Sequence, residues 1–453
     1  MHNFDFNAVN EELFTFLNAS PNSFFAVANI AKTLIAQGYT QLSEGKPWQL
    51  EIGKGYFVTR NESSLIAFRV PALNCEIAEA SKAEADYNGF QIYACHCDSP
   101  SFKLKYNWEI VAAQKYLKLN VEKYGGMIMS TWLDRPLSVA GRVLVETEKG
   151  VESRLVNIDK DLLMIPSLAI HMNRDVNEGY KWNAQNDMLP LCGSNLVQGN
   201  LKNIVAEAAG VEPKDILDTD LFLYNRMPAT VYGVEKEFIA SGRLDDLQCA
   251  FAGYKGFLEA EEAPNSIPVY CLYDNEEVGS GTKQGAASTF LKDTLQRINS
   301  ALGKGQEQYL MALANSFMVS ADNGHAVHPN NVDKSDATNR PFLNEGIVIK
   351  YSANQKYTTD AVAGALFRSL CKKAEVPVQV FHNRSDMLGG STLGNISGNQ
   401  VAVKTVDIGL PQLAMHSAYE TAGVKDTAYL VEAVKVLFST SLVEEADGKY
   451  SLR

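Results

Sequence analysis

The sequence predicts an α/β fold in which a buried central sheet, flanked by helices, is interrupted by a β-rich insertion. Three observations lead there. Short apolar runs at residues 89–95, 267–273 and 316–321 stop abruptly at polar residues, as strands covered on both faces do. Residues at helical spacing accompany them, among them Leu247, Ala250, Phe251, Tyr254 and Leu258. Between Ser101 and Tyr232 the texture changes to β-branched and aromatic stretches at 108–121, 136–145 and 151–158, with Glu148-Lys149-Gly150 as a hairpin turn. Residues 1–100 and 234–453 are therefore expected to form one α/β domain around an insertion at 101–233.

Composition narrows the function classes. The chain of 453 residues is 46% hydrophobic and 21% charged, which fits large buried cores in two or three domains. A net charge of -12 argues against nucleic acid as a partner, because phosphate binding needs a basic surface. The first twenty residues carry Asp5, Glu11 and Glu12 and no Lys or Arg, unlike a signal peptide, and no apolar run is long enough to cross a membrane. Seven irregularly spaced cysteines point to free thiols in a reducing compartment, so a cytoplasmic location is expected.

Taken in order, Ser20-Pro21-Asn22-Ser23 offers caps for a packing helix at 24–37, whose Phe24, Val27, Ala31 and Leu34 share a face. Strands at 55–58 and 64–70 precede the run 89–95, which ends at His96-Cys97-Asp98. Two apart on a strand, His96 and Asp98 share a face, so Asp98 can accept from one imidazole nitrogen while the other meets a metal. Cys95 and Cys97 alternate away from that face and read as small buried residues, not thiolate ligands. In the insertion His171 follows the apolar stretch 162–170. At a strand end it could be functional, although a satisfied structural histidine is the commoner case.

The α/β pattern resumes at Asp245-Asp246, which opens a helix at 247–260. Helix capping explains one of these aspartates but does not require both. The run 267–273 then delivers Asp274, Glu276 and Glu277 to a Val-Gly-Ser turn. Adjacent Glu276 and Glu277 cannot both ionise in one small site without a cation or a proton between them. They read either as one metal ligand and one general base, or as an ordinary acidic turn. The glycines at 279–285 match no phosphate-binding spacing and point to close backbone packing. The run 316–321 ends at Asp322 with His325 and His328 just beyond, 346–349 ends in the cation Lys350, and 401–406 leads through Asp407 to His416. This recurrence favours the ligand reading. Open α/β sheets bind ligands outside the carboxyl ends of their strands, and four of the seven histidines fall at such ends.

Several blocks together resemble the aspartyl aminopeptidase family: His96-Cys-Asp-Ser-Pro, Arg243-Leu-Asp-Asp, Asp274-Asn-Glu-Glu-Val-Gly-Ser, Ser320-Ala-Asp-Asn-Gly-His-Ala-Val-His-Pro-Asn and Pro411-Gln-Leu-Ala-Met-His-Ser. The match starts near Ser20-Pro21, passes Tyr124-Gly-Gly and Asp134-Arg135, and reaches His416. The resemblance implies a two-zinc exopeptidase, with a zinc-aminopeptidase-like central sheet interrupted by a β-rich domain that builds a homo-oligomer, a tetrahedral dodecamer. It places His96, Asp245 and Asp322 on one Zn2+ and Asp245, Glu277 and His416 on the other. Glu276 is then the general base, Asp98 orients His96, and His171, His325, His328 and Lys350 shape the substrate pocket. The family usually has Asn where this chain has Asp246, so two carboxylates compete for the bridge, and Asp245 is assigned to it.

The residue types agree with that chemistry. Nitrogen and oxygen ligands suit zinc, with Mn2+ or Co2+ as possible substitutes, and Glu276 would take a proton from a water acidified by the metals and return it to the leaving amine. The expected substrates are peptides, trimmed one N-terminal residue at a time, Asp or Glu in preference. Alternatives are the same chemistry with a neutral, Leu-like preference, or a related metal-dependent dipeptidase or deacylase. A non-enzymatic assembly protein with a relict site would have lost ligands, and none of the six principal positions is missing.

Overall fold

Four parallel strands, Ser266–Tyr273, Gly89–His96, Phe317–Ala321 and Lys404–Gly409, lie side by side in that order at the middle of a nine-stranded sheet. Because they run the same way, their carboxyl ends emerge along one edge. The sheet extends through Ser64–Arg69, Gly55–Arg60 and Thr40–Leu42 on one side, and through Ile347–Lys350 and Val378–Phe381 on the other. The computed structural model describes residues 4–72, 87–261, 263 and 265–453.

Every residue of Gly89–His96 and Ser266–Tyr273 is buried, because each face of the sheet has its own apolar layer. On one face Tyr93 and Cys95 join Tyr270, Val319, Phe251 of helix Leu244–Glu259 and Val434 of helix Asp426–Phe438. On the other, Phe90, Ile92 and Ala94 join Val269, Met318 and Ile298 of helix Phe290–Ala301. The expected packing helix runs Ser23–Ala36 and buries Val27, Ile30 and Leu34 on the first face.

A second sheet is antiparallel and six-stranded: Ser101–Ala112, Tyr116–Tyr124, Leu137–Thr147, Gly150–Asn157, Leu191–Ser194 and Ile216–Asn225. It has a separate apolar layer that includes Phe102, Val121, Trp132, Val139 and Leu221. Thr147 pairs with Gly150, closing the hairpin around Glu148-Lys149. Thr230–Tyr232 instead pairs with Phe238–Ser241 in a five-stranded sheet that also holds Glu420–Gly423, Pro411–Leu413 and Gly324–His325. Arg142 joins the six-stranded sheet to its surroundings: its guanidinium lies 4.5 Å from the Phe24 ring and donates to Asn61 O at 2.9 Å and Asp220 Oδ2 at 3.0 Å. Among the described residues, no helix is long and apolar enough to cross a membrane.

Two expectations shift. The last central strand is Lys404–Gly409, not 401–406, because pairing begins where Lys404 meets Phe317. Asp407 therefore sits inside the strand, buried, and accepts from Thr358 Oγ1 at 2.9 Å. The stretch before His171 is not a buried strand. Leu163 and Met164 make isolated bridges only, Ile170–Met172 is a 3-10 turn, and Leu168 is 55% exposed. Pro166, which offers no amide to a ladder, interrupts the run.

Candidate metal centre

The edge where the four strands end gathers side chains from five segments. His96 is the last residue of its strand, and Asp322 directly follows Phe317–Ala321. Glu276 and Glu277 lie in a 3-10 turn, Glu276–Val278, just past Ser266–Tyr273. Asp245 stands in the irregular first turn of helix Leu244–Glu259, where the backbone of both Asp245 and Asp246 is non-helical. His416 comes from the turn between Pro411–Leu413 and Glu420–Gly423.

Asp245 occupies the centre. Its Oδ1 lies 3.4 Å from His96 Nε2 and its Oδ2 lies 3.4 Å from His416 Nε2. Asp322 Oδ1 is 3.9 Å from His96 Nε2, and Glu277 Oε2 is 3.2 Å from His416 Nε2. Among the described residues, three sets have ligand atoms within 4.8 Å of one another: His96, Asp245, Asp246 and Asp322; Asp245, Glu277 and His416; and His96, Glu276 and Glu277. Asp245 Oδ1 and Glu277 Oε1 are buried without a hydrogen-bond partner, a costly state for a carboxylate oxygen unless a cation meets it. The donors are nitrogen and oxygen only, a set that fits zinc. The six described cysteines are free and none belongs to these groups; Cys75 lies outside the described residues.

Protonation follows from so many acids in one place. Burial pushes Glu276 up to about 8 and Glu277 up to about 7, with Asp322 and Glu277 adding to the first shift and Asp245 to the second. Burial would lower His416, but Asp245 and Glu277 outweigh it and raise it to about 11. His96 is likewise held well above its ordinary value, by Asp245, Asp322 and Asp98 against burial. Asp245 moves the other way: burial would raise it, and the two histidines hold it below the usual carboxylate range. Protons here take the place that cations fill in a loaded site.

Behind these residues stands a layer of fixed acceptors. Asp98 Oδ1 is 3.3 Å from His96 Nδ1 and accepts from Glu276 N at 3.1 Å, while its Oδ2 accepts from Glu277 N at 3.1 Å. Asp246 accepts from His96 N at 3.3 Å and Asn323 N at 3.2 Å, so it braces the two segments that carry His96 and Asp322. Glu420 accepts from Asp245 N at 3.1 Å and His416 N at 2.8 Å. Sequence reasoning misses Glu420, whose only signal is an acid four residues after His416. It also misses Asn323, which donates to Leu244 O, Gln248 Oε1 and Gln412 Oε1. A cavity of about 270 Å³ is lined by Asp98 and Glu420 of this layer together with Tyr124 and Arg243.

The remaining site candidates are more dispersed. Lys350 is buried, donates to Asn323 O at 2.9 Å and stands 3.7 Å from Asp322 Oδ2. Loss of water around the His325 ring, together with the nearby Lys350 charge, lowers its pKa. His328 is exposed, its Nδ1 accepting from Asn330 N at 3.2 Å. His171 is exposed on the insertion and belongs to none of the metal-competent groups. The glycine-rich turn is packed in part: a Cβ on Gly285 would lie 2.3 Å from Ser280 O.

Comparison with known proteins identifies the family of the chain. The model of the family described as aminopeptidase I zinc metalloprotease (M18) matches residues 16–438. The chain is 44% identical over 434 residues to a probable M18 family aminopeptidase 2 of Clostridium novyi (strain NT), covering 94% of this chain and 98% of that protein. It is also 44% identical over 440 residues to a probable M18 family aminopeptidase 2 of Pseudomonas aeruginosa (strain UCBPP-PA14), covering 96% and 98%. Among solved structures it resembles Ape4 in the cryo-EM structure of the Ape4 and Nbr1 complex, with TM-score 0.90 and 37% identity over 96% of this chain and 86% of that one. The mApe1 dodecamer of S. cerevesiae is similar at TM-score 0.82 and 27% identity, covering 96% and 97%. The chain therefore belongs to the aminopeptidase I zinc metalloprotease family, M18, and is an aminopeptidase.

Proposed function

We propose that the chain releases single N-terminal residues, Asp or Glu in preference, from peptides at a pair of zinc ions. The observation that carries this reading is Asp245, whose two oxygens face two separate ligand sets, as a bridging carboxylate must. His96, Asp245 and Asp322 would hold one ion and Asp245, Glu277 and His416 the other, with manganese or cobalt as substitutes. When bound, the zinc pair acidifies a water and polarises the scissile carbonyl. Glu276 takes that water's proton on its carboxylate and passes it to the departing amine nitrogen. The Asp98 contact to the Glu276 amide fixes where the base stands. Asp98 also keeps the proton of His96 on Nδ1, which leaves Nε2 free for the ion.

The acidic preference rests on local charge in a protein whose net charge is -12. Lys350 has three donors and commits one to Asn323 O, and His325 and His328 complete that side of the pocket. His171 is assigned to the pocket of a neighbouring subunit in a homo-oligomer. Leu168, Ile170 and Met172 beside it are 55%, 47% and 73% exposed in the single chain, an apolar surface that assembly would cover. A dodecamer, the assembly of the similar S. cerevesiae structure, is proposed here too. The free cysteines support a reducing, cytoplasmic setting.

The test is turnover of aspartyl, glutamyl and leucyl anilides by protein of measured metal content. Two zinc ions per subunit and faster cleavage of the acidic substrates are expected. Preference for leucine overturns the acidic assignment, and full activity with one ion per subunit overturns the pair.

A further inference from the structure

Tyr124 ends the strand Tyr116–Tyr124 of the six-stranded sheet, and its hydroxyl reaches the layer behind the metal centre. It donates to Asp98 Oδ2 at 2.6 Å and accepts from Asn275 Nδ2 at 2.8 Å. The Asp98 carboxylate also accepts from the amides of Glu276 and Glu277 and stands 3.3 Å from His96 Nδ1, which is hydrogen-bonded to the Asp98 carbonyl at 3.1 Å. The residues after Tyr124 press on the same centre. Gly125 has φ +73°, and a Cβ there would come 3.2 Å from Glu277 Cβ. Gly126 O accepts from His416 Nδ1 at 2.6 Å, and Ile128 N donates to His416 O at 3.0 Å. One short segment of the inserted sheet thus meets Asp98, Glu277 and His416 in succession.

We propose that Tyr124 is a positioning residue for the aminopeptidase reaction, acting through Asp98 to fix His96 and the turn that presents Glu276 and Glu277. The inference rests on the roles assigned above to those three residues. A short O–H···O⁻ bond is strong and directional, and a neutral donor leaves Asp98 its full charge for His96, which a lysine or arginine in that place would not. Asn275 makes the arrangement specific. Its Nδ2 orients the tyrosyl oxygen, while its Oδ1 accepts from Thr282 Oγ1 and Gln284 Nε2, both at 2.8 Å. The hydroxyl is therefore held from both sides, between the turn of the acids and the carboxylate that supports it.

Tyr124→Phe keeps the ring and its edge contact with Phe222, centroids 5.5 Å apart, and removes only the hydroxyl. In zinc-saturated enzyme kcat should fall about ten- to a hundredfold, the usual effect of losing a partner of a metal ligand's support, with KM nearly unchanged. Zinc release to a chelator, followed without substrate, should be faster than in wild type. Tyr224→Phe, which deletes a hydroxyl bonded to Asn157 Oδ1 at 2.8 Å in the same sheet, is the control and should change neither. Asn275→Asp keeps the Oδ1 contacts, removes the donor to Tyr124 and adds a charge beside Asp98, whereas Asn275→Ser removes the donor without adding charge. Asn275→Ser should reproduce part of the loss, and combining it with Tyr124→Phe should add little. Wild-type kcat and zinc release in Tyr124→Phe, losses matched by Tyr224→Phe, or full additivity with Asn275→Ser would each overturn the proposal. If Tyr124→Phe does not fold, kcat and zinc release of Asn275→Ser, which removes the donor to Tyr124 without adding charge, decide alone. If the wild type cleaves no aminoacyl anilide, the functional reading fails, and the zinc-release comparison still decides the role of Tyr124.

Discussion

The ammonium of Lys350 stands 3.7 Å from Asp322 Oδ2, so the cation assigned to substrate choice also braces a residue assigned to the metals. Burial would lower its pKa, but Asp322 and its neighbours hold it above the ordinary value, and it stays charged at working pH. A charge-assisted hydrogen bond from it to a substrate carboxylate is worth about 1.5–3 kcal/mol. Lys350→Met should therefore lower the aspartyl-to-leucyl ratio of kcat/KM about ten- to a hundredfold, with zinc content unchanged at saturating metal. An unchanged ratio removes Lys350 from specificity, and lost zinc would mean that its support of Asp322 dominates.

Glu276→Gln should retain both metals and lose about 10²- to 10⁴-fold in turnover, the reach of a general base. Glu277→Gln and His416→Ala should instead lower metal content, because their side chains converge within 3.2 Å of each other beside Asp245. Elemental analysis alongside the kinetics separates the two classes. Near-wild-type turnover in metal-replete Glu276→Gln would exclude it as the base.

His171 is a test of assembly. If it completes a neighbour's pocket, inactive His171→Ala and inactive Glu276→Gln subunits should recover activity when mixed, since some contacts then pair an intact histidine with an intact base. No recovery after demonstrated subunit exchange would confine His171 to its own chain.

Asp220 tests the charge cluster across three neighbouring strands of the six-stranded sheet. Burial raises its pKa, but Lys103 Nζ at 2.7 Å and Arg142 at 3.0 Å outweigh it and hold the carboxyl below its usual value. The folded protein thus gives up this proton more readily than the unfolded chain. The resulting stability is complete above the unfolded pKa near about 4 and is lost as pH falls through the lower folded value. With the pair partly open to solvent, Asp220→Asn should cost about 0.2–1 kcal/mol near neutral pH, and the gap should close on acidification below about pH 4. Denaturant titrations at both conditions decide. An equal gap in each would assign the effect to shape instead of charge.

Much of the site is legible in the sequence because its residues terminate buried strands. His96, Glu277 and Asp322 each sit where an apolar run breaks, and that break is a local signal. Glu420 and Tyr124 give no such signal. Tyr124 meets Asp98 from a different sheet, and Glu420 meets Asp245 from a segment 175 residues away, so only the folded chain reveals their partners. The choice between Asp245 and Asp246 is similarly hidden. Adjacent in sequence, they face different tasks because Asp246 is engaged by the amides of His96 and Asn323. The run 401–406 misplaces its strand because apolar residues mark burial, whereas pairing with Phe317–Ala321 sets the boundaries.

The order of the four central strands has a bearing on synthesis. Gly89–His96 lies between Ser266–Tyr273 and Phe317–Ala321, so an early strand has no permanent neighbour on either side until Ser266–Tyr273 has been made, and none on its other side until Phe317–Ala321 follows. At ribosomal rates of about 5–20 residues per second, that wait is roughly ten seconds or longer, during which a strand that ends up wholly buried must be kept from pairing elsewhere. The six-stranded sheet, complete by Asn225 and built on its own apolar layer, can fold in the interval. The nascent chain can therefore assemble its middle first and close its outer halves around it last, and a truncated product that stops before Phe317 would leave the open edge of Gly89–His96 as a template for aggregation.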